Sequence, residues 1–308
     1  MQVRVLDLDG GIALQPRLNK EARLCAAQDW GPHIRMACSF GRFRRFEGAL
    51  RDRLGGAEER EPFVTFVGSG DFHHVSLALI RRLRTPFNLL ILDNHPDWMR
   101  GVPFMHCGTW VYHAAQLPLL GTIFHAGGDV DFDNYYQWLA PWRLLRSGKI
   151  RVLPGTRKFV RRGWASVPNQ PLRVEGVTLS PARLAELLQP FRQELRQRPL
   201  YISLDKDVMH AGEAVVNWDS GHLTLANLHT VLKAFLEASG RRFAGMDIVG
   251  DWSPVRLRGC LRRLMHVTEH PRLEVDPAQA TRQNEQINLA LLDCLGNNLA
   301  PTKALQAG

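Results

Sequence analysis

Short apolar runs alternate along the chain with longer amphipathic stretches. Runs of this kind, with polar residues at both ends, are typical of strands that are buried on both faces of a parallel sheet. We predict strands at residues 3–8, 63–67, 87–92, 122–125, 150–153, 200–204 and 243–249.

The stretches between these runs carry helix signals. Ser180 and Pro181 provide an N-cap and a proline at the first helical position, and Thr224 provides a second N-cap. We predict helices at residues 38–53, from about 74, 180–196, 224–240 and 277–295. The alternation predicts an α/β fold of one domain over residues 1–308, a three-layer αβα arrangement with a mostly parallel central sheet. Such folds bind ligands outside the carboxyl ends of their strands.

Composition favours an ordinary soluble chain. The 308 residues are 45% hydrophobic and 22% charged, and no apolar stretch approaches the roughly 20 residues of a membrane helix. The first residues lack a signal-peptide core, so we expect a cytoplasmic protein without a membrane partner. The five cysteines are widely spaced and form no CxxC pair, which favours reduced thiols over a disulfide framework or a zinc ribbon.

A net charge of +9 raises the question of nucleic-acid binding. Basic residues cluster in the stretch 143–162, which contains no acidic residue. They are Arg143, Arg146, Lys149, Arg151, Arg157, Lys158, Arg161 and Arg162. Because few aromatic residues are interleaved with them, we interpret the stretch as a solvated face and expect no nucleic-acid partner.

The segment 93–98 follows the predicted strand 87–92. Side chains alternate along an extended chain, so Asp93, His95 and Asp97 can project to one side. Carboxylates and an imidazole at the end of an apolar strand suit a divalent cation such as manganese, zinc or iron. The alternative is a turn with an aspartate cap and a hydrogen-bonded histidine.

Polar clusters follow two further predicted strands. Residues 68–74 contain His73 and His74, and Asp205 and Asp207 follow the strand 200–204 with the same two-residue spacing. Four aspartates gathered at one sheet edge need cations to balance their charge. Two metal ions that share carboxylates, roughly 3.5–4 Å apart, would provide this balance and activate a water molecule.

These segments resemble the motifs of the arginase/agmatinase ureohydrolase family. The family motifs are Gly-Gly-Asp-His, Asp-x-His-x-Asp, Ser-x-Asp-x-Asp and a late Asp-Ile-Val-Glu. They correspond here, in the same order between about residues 63 and 255, to residues 70–74, 93–97, 203–207 and 247–251.

The resemblance implies two Mn²⁺ ions per chain and a bridging hydroxide that attacks a guanidinium carbon. It implies one ion held by His74 (or His73), Asp93, Asp97 and Asp205, and another held by His95, Asp93, Asp205 and Asp207. It also implies that His106 carries a proton to the leaving amine, the alternative being a buried structural histidine. A small-molecule substrate and a homo-oligomer are further expectations of the resemblance.

Departures from the family pattern concern both ligands and substrate. His73 and His74 compete for one ligand position, and we favour His74 because residues 75–78 continue as a helix after it. The late glutamate that holds a guanidinium is replaced by Gly250, with Asp251 one step on. We therefore interpret Asp251 as a candidate partner for a substrate cation, unless guanidinium specificity has been lost.

Tryptophans accompany the motif segments. Trp98, Trp110, Trp218 and Trp252 lie next to or shortly after them, and they suggest a bulkier or more apolar substrate than arginine. Core packing is the alternative for each. Within the loop 215–222, Asn217 and Trp218 are our candidates for substrate contact.

Three functions are compatible with these residues. The first is a binuclear metal hydrolase acting on a C–N bond of a guanidino or amidino compound. The second is a deacetylase-like amide hydrolase with a single zinc ion, suggested by the tandem histidines 73 and 74. The third is a non-catalytic binding protein whose basic stretch engages an acidic partner.

Overall fold

The computed structural model describes residues 1–55, 61–128, 135–155, 179–271 and 273–299. The strands in these ranges are β1 (Gln2–Asp7), β2 (Arg23–Ala26), β3 (Ala37–Cys38), β4 (Phe63–Gly68), β5 (Phe87–Leu92), β6 (Met105–His106), β7 (Leu120–Ala126), β8 (Ile150–Leu153), β9 (Leu200–Asp205) and β10 (Phe243–Val249). The α-helices are α1 (Leu18–Glu21), α2 (Gly31–Ile34), α3 (Phe40–Arg53), α4 (Val75–Ile80), α5 (Trp110–Ala114), α6 (Trp142–Arg146), α7 (Pro181–Leu188), α8 (Arg192–Gln197), α9 (Leu225–Ala238), α10 (Cys260–Glu269) and α11 (Pro277–Leu299).

Eight of these strands form one parallel sheet. Its order is β2-β1-β4-β10-β9-β5-β7-β8, and each neighbouring pair is parallel. Strands β3 and β6 form a separate antiparallel pair. The predicted α/β class with a parallel central sheet is confirmed, and all seven predicted strands are present.

Side-chain alternation along the strands divides the apolar core into two layers. On β4, Phe63 and Val67 belong to the layer that also contains residues of α3 and α4. Val64 and Phe66 belong to the opposite layer, which contains residues of α7, α9 and α11. Strands with apolar side chains on both faces need a helical cover on each side, and this requirement produces the three-layer arrangement.

One predicted helix is divided in two. Ser180 caps α7 as expected, because its hydroxyl accepts a hydrogen bond from the backbone N–H of Arg183 at 3.2 Å. The predicted continuation to residue 196 is wrong, since a short 3-10 segment containing Pro190 separates α7 from α8. Proline provides no N–H for the helical ladder and clashes with the preceding turn, which explains the break.

The sequence prediction did not include helix α10.

The structure tests the prediction for the basic stretch 143–162 only in part. Arg143 and Arg146 belong to α6, whereas Arg151 lies 3.7 Å from Glu194. Arg157, Lys158, Arg161 and Arg162 lie outside the described residues.

Among the helices of the described ranges, none has the length and apolar character needed to cross a bilayer.

Candidate metal centre

The segments that follow β4, β5 and β9 meet at the carboxyl edge of the sheet. Strands β4 and β5 lie on either side of the adjacent pair β10 and β9, so the chain leaves all of them at the same edge. Ends of parallel strands in such an arrangement are where α/β proteins place their sites.

A first group of possible ligands is centred on His73. Its Nδ1 atom lies 3.1 Å from Asp93 Oδ2, 2.9 Å from Asp97 Oδ2 and 3.7 Å from Asp205 Oδ2. These four side chains are almost fully buried. Ligand atoms of His73, Asp93 and Asp205 lie within 4.8 Å of one another, a spacing that suits one metal ion.

A second group shares Asp93 with the first. His95 Nδ1 lies 2.7 Å from Asp207 Oδ2 and 3.8 Å from Asp93 Oδ1, and ligand atoms of these three residues also lie within 4.8 Å of one another. Backbone N–H groups aim the carboxylates, because Asn94 donates to Asp207 Oδ1 at 3.0 Å and the N–H of Asp207 donates to Asp205 Oδ1 at 3.0 Å.

Without a cation, burial and mutual repulsion disfavour the ionised form of Asp205 and Asp207 in this cluster. Burial raises the pKa of Asp205 well above its usual value, and the charges of Asp207 and Asp93 raise it further. Burial and the charge of Asp93 also raise the pKa of Asp207. Burial alone would lower the pKa of His95, but the neighbouring carboxylate of Asp207 raises it to about 10. The cluster therefore holds protons where a metal ion would otherwise supply positive charge.

Two observations show that a metal fits these residues. The Oδ2 atom of Asp93 is buried and accepts no well-aligned hydrogen bond from the described residues, although His73 Nδ1 lies 3.1 Å away, and buried charges commonly pair with another charge or coordinate metal. At Gly70, an added Cβ would lie 2.6 Å from Asp205 Oδ2. Glycine at this position keeps the backbone clear of the carboxylate.

The structure places His73, and not the favoured His74, against the carboxylates. His74 is fully buried on the other side of the turn, where its ring centroid lies 5.9 Å from that of Phe43. Burial and the nearby His106 and His73 lower its pKa to about 3. The tandem histidines therefore do not form a pair in one site, and this removes the signal that suggested a deacetylase-like centre.

A hydroxyl and a buried acid lie behind His73. Its Nε2 atom is 3.0 Å from Ser203 Oγ, which donates to Asp247 Oδ1 at 2.8 Å. Hydroxyls of Tyr201 and Ser76 donate to the same carboxylate. Because Nε2–H is held in this way, Nδ1 is the ring atom that faces the carboxylates, and it would be the ligand atom once its proton is exchanged for a metal ion.

Asp71 connects the first motif to the later part of the chain. Its carboxylate accepts hydrogen bonds from Arg35 Nε at 2.6 Å, His270 Nε2 at 2.8 Å and Trp218 Nε1 at 3.0 Å. Burial would raise the pKa of Asp71, but the charge of Arg35 and the charge and hydrogen bond of His270 together lower the pKa. The residue stays ionised and fixes the loop with Trp218 beside the candidate metal ligands.

The cluster opens into a cavity of about 540 Å³. Its walls include His106 and the tryptophans Trp98 and Trp218, together with Met99, Val102, Phe104 and Met265. Trp98 is almost fully buried. The ring centroid of Trp218 lies 5.4 Å from that of His95. The expectation that tryptophans border the site therefore agrees with the placement of these two residues.

Three predicted site residues lie elsewhere. Asp251 is buried and pairs with Lys206 Nζ at 2.9 Å, so it is not available to a substrate cation. The side chain of Asn217 is engaged with Ser69 and Ser253 and does not line the cavity. Trp252 is likewise absent from the cavity wall, and its backbone N–H donates to the carbonyl of Val215.

Two residues that border the cluster have roles that the sequence did not indicate. Trp110 donates its indole N–H to Asp97 Oδ2 at 2.9 Å and is fully buried. Glu269, at the end of α10, lines the cavity beside His106. A tryptophan near the His106 motif was visible in the sequence, but no motif or spacing pointed to Glu269.

No protein-family model matches the chain. A curated but uncharacterized protein of Thermotoga maritima is 27% identical over 192 residues, which cover 62% of this chain and 59% of that protein. The match therefore spans less than two thirds of that relative.

Solved structures share the fold over almost the whole chain. An arginase from Entamoeba histolytica in complex with L-ornithine has a TM-score of 0.58 and 12% identity, covering 96% of this chain and 99% of that one. Proclavaminate amidino hydrolase from Streptomyces clavuligerus has a TM-score of 0.53 and 17% identity, with coverages of 96% and 92%. Agmatine ureohydrolase of Thermoplasma volcanium has a TM-score of 0.51 and 14% identity, with coverages of 96% and 89%.

The chain is an α/β protein with a histidine and carboxylate cluster at the carboxyl edge of a parallel sheet. Its fold is that of the arginase and agmatinase ureohydrolases. The resemblance predicted from the four sequence motifs is thus confirmed at the level of the fold.

Proposed function

We propose that this protein is a binuclear metal hydrolase, with Mn²⁺ as its native metal, that cleaves a C–N bond of a guanidino or amidino compound. The observation that carries the proposal is the pair of ligand groups that share Asp93. When bound, two dications would act as Lewis acids and lower the pKa of a water molecule. The names of the structurally similar proteins, an arginase, an amidino hydrolase and an agmatine ureohydrolase, support this reaction class.

The ligand geometry suggests how the chain would divide its side chains between two ions. One ion would be held by His73, Asp93, Asp97 and Asp205, and the other by His95, Asp93, Asp205 and Asp207. Behind the first ion, Ser203 and Asp247 orient the His73 ring. Such outer partners commonly contribute 10–100-fold to metal affinity.

The cavity walls indicate the kind of substrate. The lining includes Asp219 and Glu269, which are not among the proposed metal ligands and whose carboxylates would attract a guanidinium. Met99, Val102, Phe104 and Met265 then surround the rest of the molecule. Of the described residues that line the cavity, none is a lysine or an arginine, so a substrate carboxylate would meet no basic side chain of these two types there. We therefore propose a guanidine with an alkyl or aryl substituent in preference to a guanidino acid.

The test combines metal analysis with an unbiased activity assay. Protein purified without chelator is analysed for metals, loaded with Mn²⁺ and offered alkylguanidines, arylguanidines and guanidino acids, with urea, ammonia and amine measured. We expect two ions per chain and faster turnover of the guanidines without a carboxylate. Asp93→Ala should lose both metal and activity, whereas Asp52→Ala, at an exposed position of α3, should retain them. Release of no product from any compound by the loaded protein would refute the proposal.

A further inference from the structure

We propose that Glu269 carries the proton to the leaving nitrogen of the substrate, and that His106 is the residue that positions it. This inference rests on the hydrolase function proposed above. Both side chains line the cavity, and Glu269 Oε2 lies 3.3 Å from His106 Nε2. The Glu269 side chain is 26% exposed, so its carboxyl group can exchange protons with water as well as with a bound substrate.

The hydrogen bonding of His106 makes it a fixed donor. Its Nδ1 atom accepts the backbone N–H of Gly108 at 2.9 Å, so the proton of the neutral ring belongs on Nε2, which faces Glu269. Protonating Nδ1 would set two N–H groups against each other at this distance. The ring is therefore poorly suited to the gain and loss of protons that the sequence motif suggested for His106.

The other polar neighbour of His106 does not compete for this role. Cys107 Sγ lies 3.6 Å from His106 Nε2. Burial and the charge of Asp97 raise the pKa of the thiol well above its usual value, so it stays neutral. A neutral thiol is a weak acceptor, and the carboxylate of Glu269 is the stronger partner of the ring N–H.

Helix α10 is attached at both ends, which gives Glu269 a defined place. Near its start, Arg262 donates to the carbonyl of Pro32 at 2.9 Å. Immediately after its last residue, His270 reaches Asp71 Oδ1 at 2.8 Å. Asp71 is itself two residues before His73, so the helix end that bears Glu269 is tied to the segment that bears a metal ligand. This attachment provides the positional precision that proton transfer requires.

The proton balance of hydrolysis needs one such group. The oxygen of water forms a bond to the guanidinium carbon and releases a proton, while the electron pair of the C–N bond leaves with the nitrogen. The Glu269 carboxylate takes up the proton released by water and gives it to that nitrogen, which returns Glu269 to its carboxylate form. The sum is addition of one water molecule across one C–N bond, with no change in oxidation state.

The leaving group provides the test. An alkylguanidine releases a basic amine that needs a proton as the bond breaks, whereas a nitrophenylguanidine releases a weakly basic aniline that does not. In Glu269→Gln we expect kcat to fall about 10²–10⁴-fold on the alkylguanidine but less than about tenfold on the nitrophenylguanidine, with KM nearly unchanged. Glu274→Gln, at an exposed position five residues on, should match the wild type on both.

A double mutant and a spectrum examine the role of His106. His106→Gln should cost less than Glu269→Gln, and the double mutant should be no worse than Glu269→Gln alone, since both act through one group. In ¹⁵N spectra of the metal-free protein at the assay pH, His106 should show a protonated Nε2 and an unprotonated Nδ1, whether or not the protein is active.

Each outcome distinguishes the inference from the function on which it rests. If the wild type releases urea but Glu269→Gln loses the same factor on both substrates, or if His106 carries its proton on Nδ1, the inference is wrong and the hydrolase function stands. If the wild type itself releases no product from either guanidine, both fall together. A selective loss on the alkylguanidine with the expected ring tautomer supports the inference.

Discussion

At the scale of single residues, the neighbours His73 and His74 have opposite surroundings and opposite pKa shifts. His73 faces three carboxylates, which outweigh the effect of burial and raise its pKa well above the usual value. His74 lies against Phe43 and has a pKa lowered to about 3. One step along the turn thus separates a candidate metal ligand from a neutral core residue.

These environments predict opposite outcomes for two matched substitutions. His73→Ala removes a ligand, so its loss of Mn²⁺ affinity should exceed the roughly 10–100-fold typical of residues behind a ligand. His74→Leu replaces a buried neutral ring by an apolar side chain and should keep two ions per chain. Calorimetric titration with Mn²⁺ measures both. Loss of an ion in His74→Leu, with full binding in His73→Ala, would contradict the assignment.

Asp251 provides a second prediction at this scale, because its partner Lys206 is fully buried. Burial lowers the pKa of Lys206, and the nearby Asp251 carboxylate works against this effect. Asp251→Ala leaves the buried ammonium without its carboxylate partner, with only the neutral Asn288 Oδ1 at 3.0 Å, and should reduce the free energy of unfolding by about 3–5 kcal/mol. Urea denaturation measures this, and Asp293→Ala on the exposed face of α11 serves as the control.

The double substitution Lys206→Met with Asp251→Leu separates a structural role from a catalytic one. It removes both charges, so most of the lost stability should return. If Asp251→Ala were as stable as the wild type but unable to bind substrate, the interpretation of Asp251 as a substrate partner would be restored.

At the scale of elements, the end of β10 explains why the late family glutamate is missing. Gly250 has φ of +94°, and an added Cβ would lie 2.5 Å from Asp205 Oδ1 and 2.6 Å from the backbone nitrogen of Lys206. A side chain at this position would therefore collide with a candidate metal ligand. The substitution is part of the local backbone geometry and not an isolated loss.

It follows that restoring the glutamate should harm the protein. Gly250→Glu combines a strained backbone with a steric clash, so we expect a loss of more than about 1–3 kcal/mol of stability and displacement of Asp205 with loss of metal. Urea denaturation and metal analysis are the measurements. Gly41→Glu on α3, where an added Cβ meets nothing within 4 Å, is the matched control. Improved turnover of guanidines by Gly250→Glu would contradict this explanation.

Elements with a strong local signal could be predicted from the sequence. Apolar runs such as β5 and β9 indicate that the strand is buried, and they show that the aspartates after it lie at the carboxyl edge of the sheet. The choice between His73 and His74 was not available, because it depends on the 3-10 turn after β4. Helix α10 was missed, and its apolar residues do not simply mark a side packed on the core, since Leu264 and Val267 are exposed while Met265 and Glu269 line the cavity.

At the scale of the whole molecule, the protonation of this cluster makes the stability of the fold depend on pH. His95, whose usual pKa is 6.5, has a pKa of about 10 in the folded metal-free protein, and the pKa values of His73, Asp205 and Asp207 are also raised. The folded chain then holds protons that the unfolded chain has already released. Because stability falls with rising pH wherever the folded state binds more protons, each group makes the metal-free protein less stable as the pH rises above its usual pKa. For Asp205 and Asp207 this begins at 3.8, and for His95 it runs from 6.5 to about 10.

Metal binding should reverse this trend, because the ligands must lose their protons to coordinate an ion. Mn²⁺ therefore binds more tightly at higher pH, and ligand binding to the folded state raises the midpoint temperature of unfolding by mass action. We expect the drop in this temperature on adding a chelator to the Mn²⁺ form to be larger at about pH 8.5 than at about pH 6. Differential scanning calorimetry measures it, and Asp93→Ala should show little response to chelator at either pH. A chelator effect that is equal at both pH values, or larger at the lower one, would mean that the carboxylates and imidazoles of this cluster do not exchange their protons for metal.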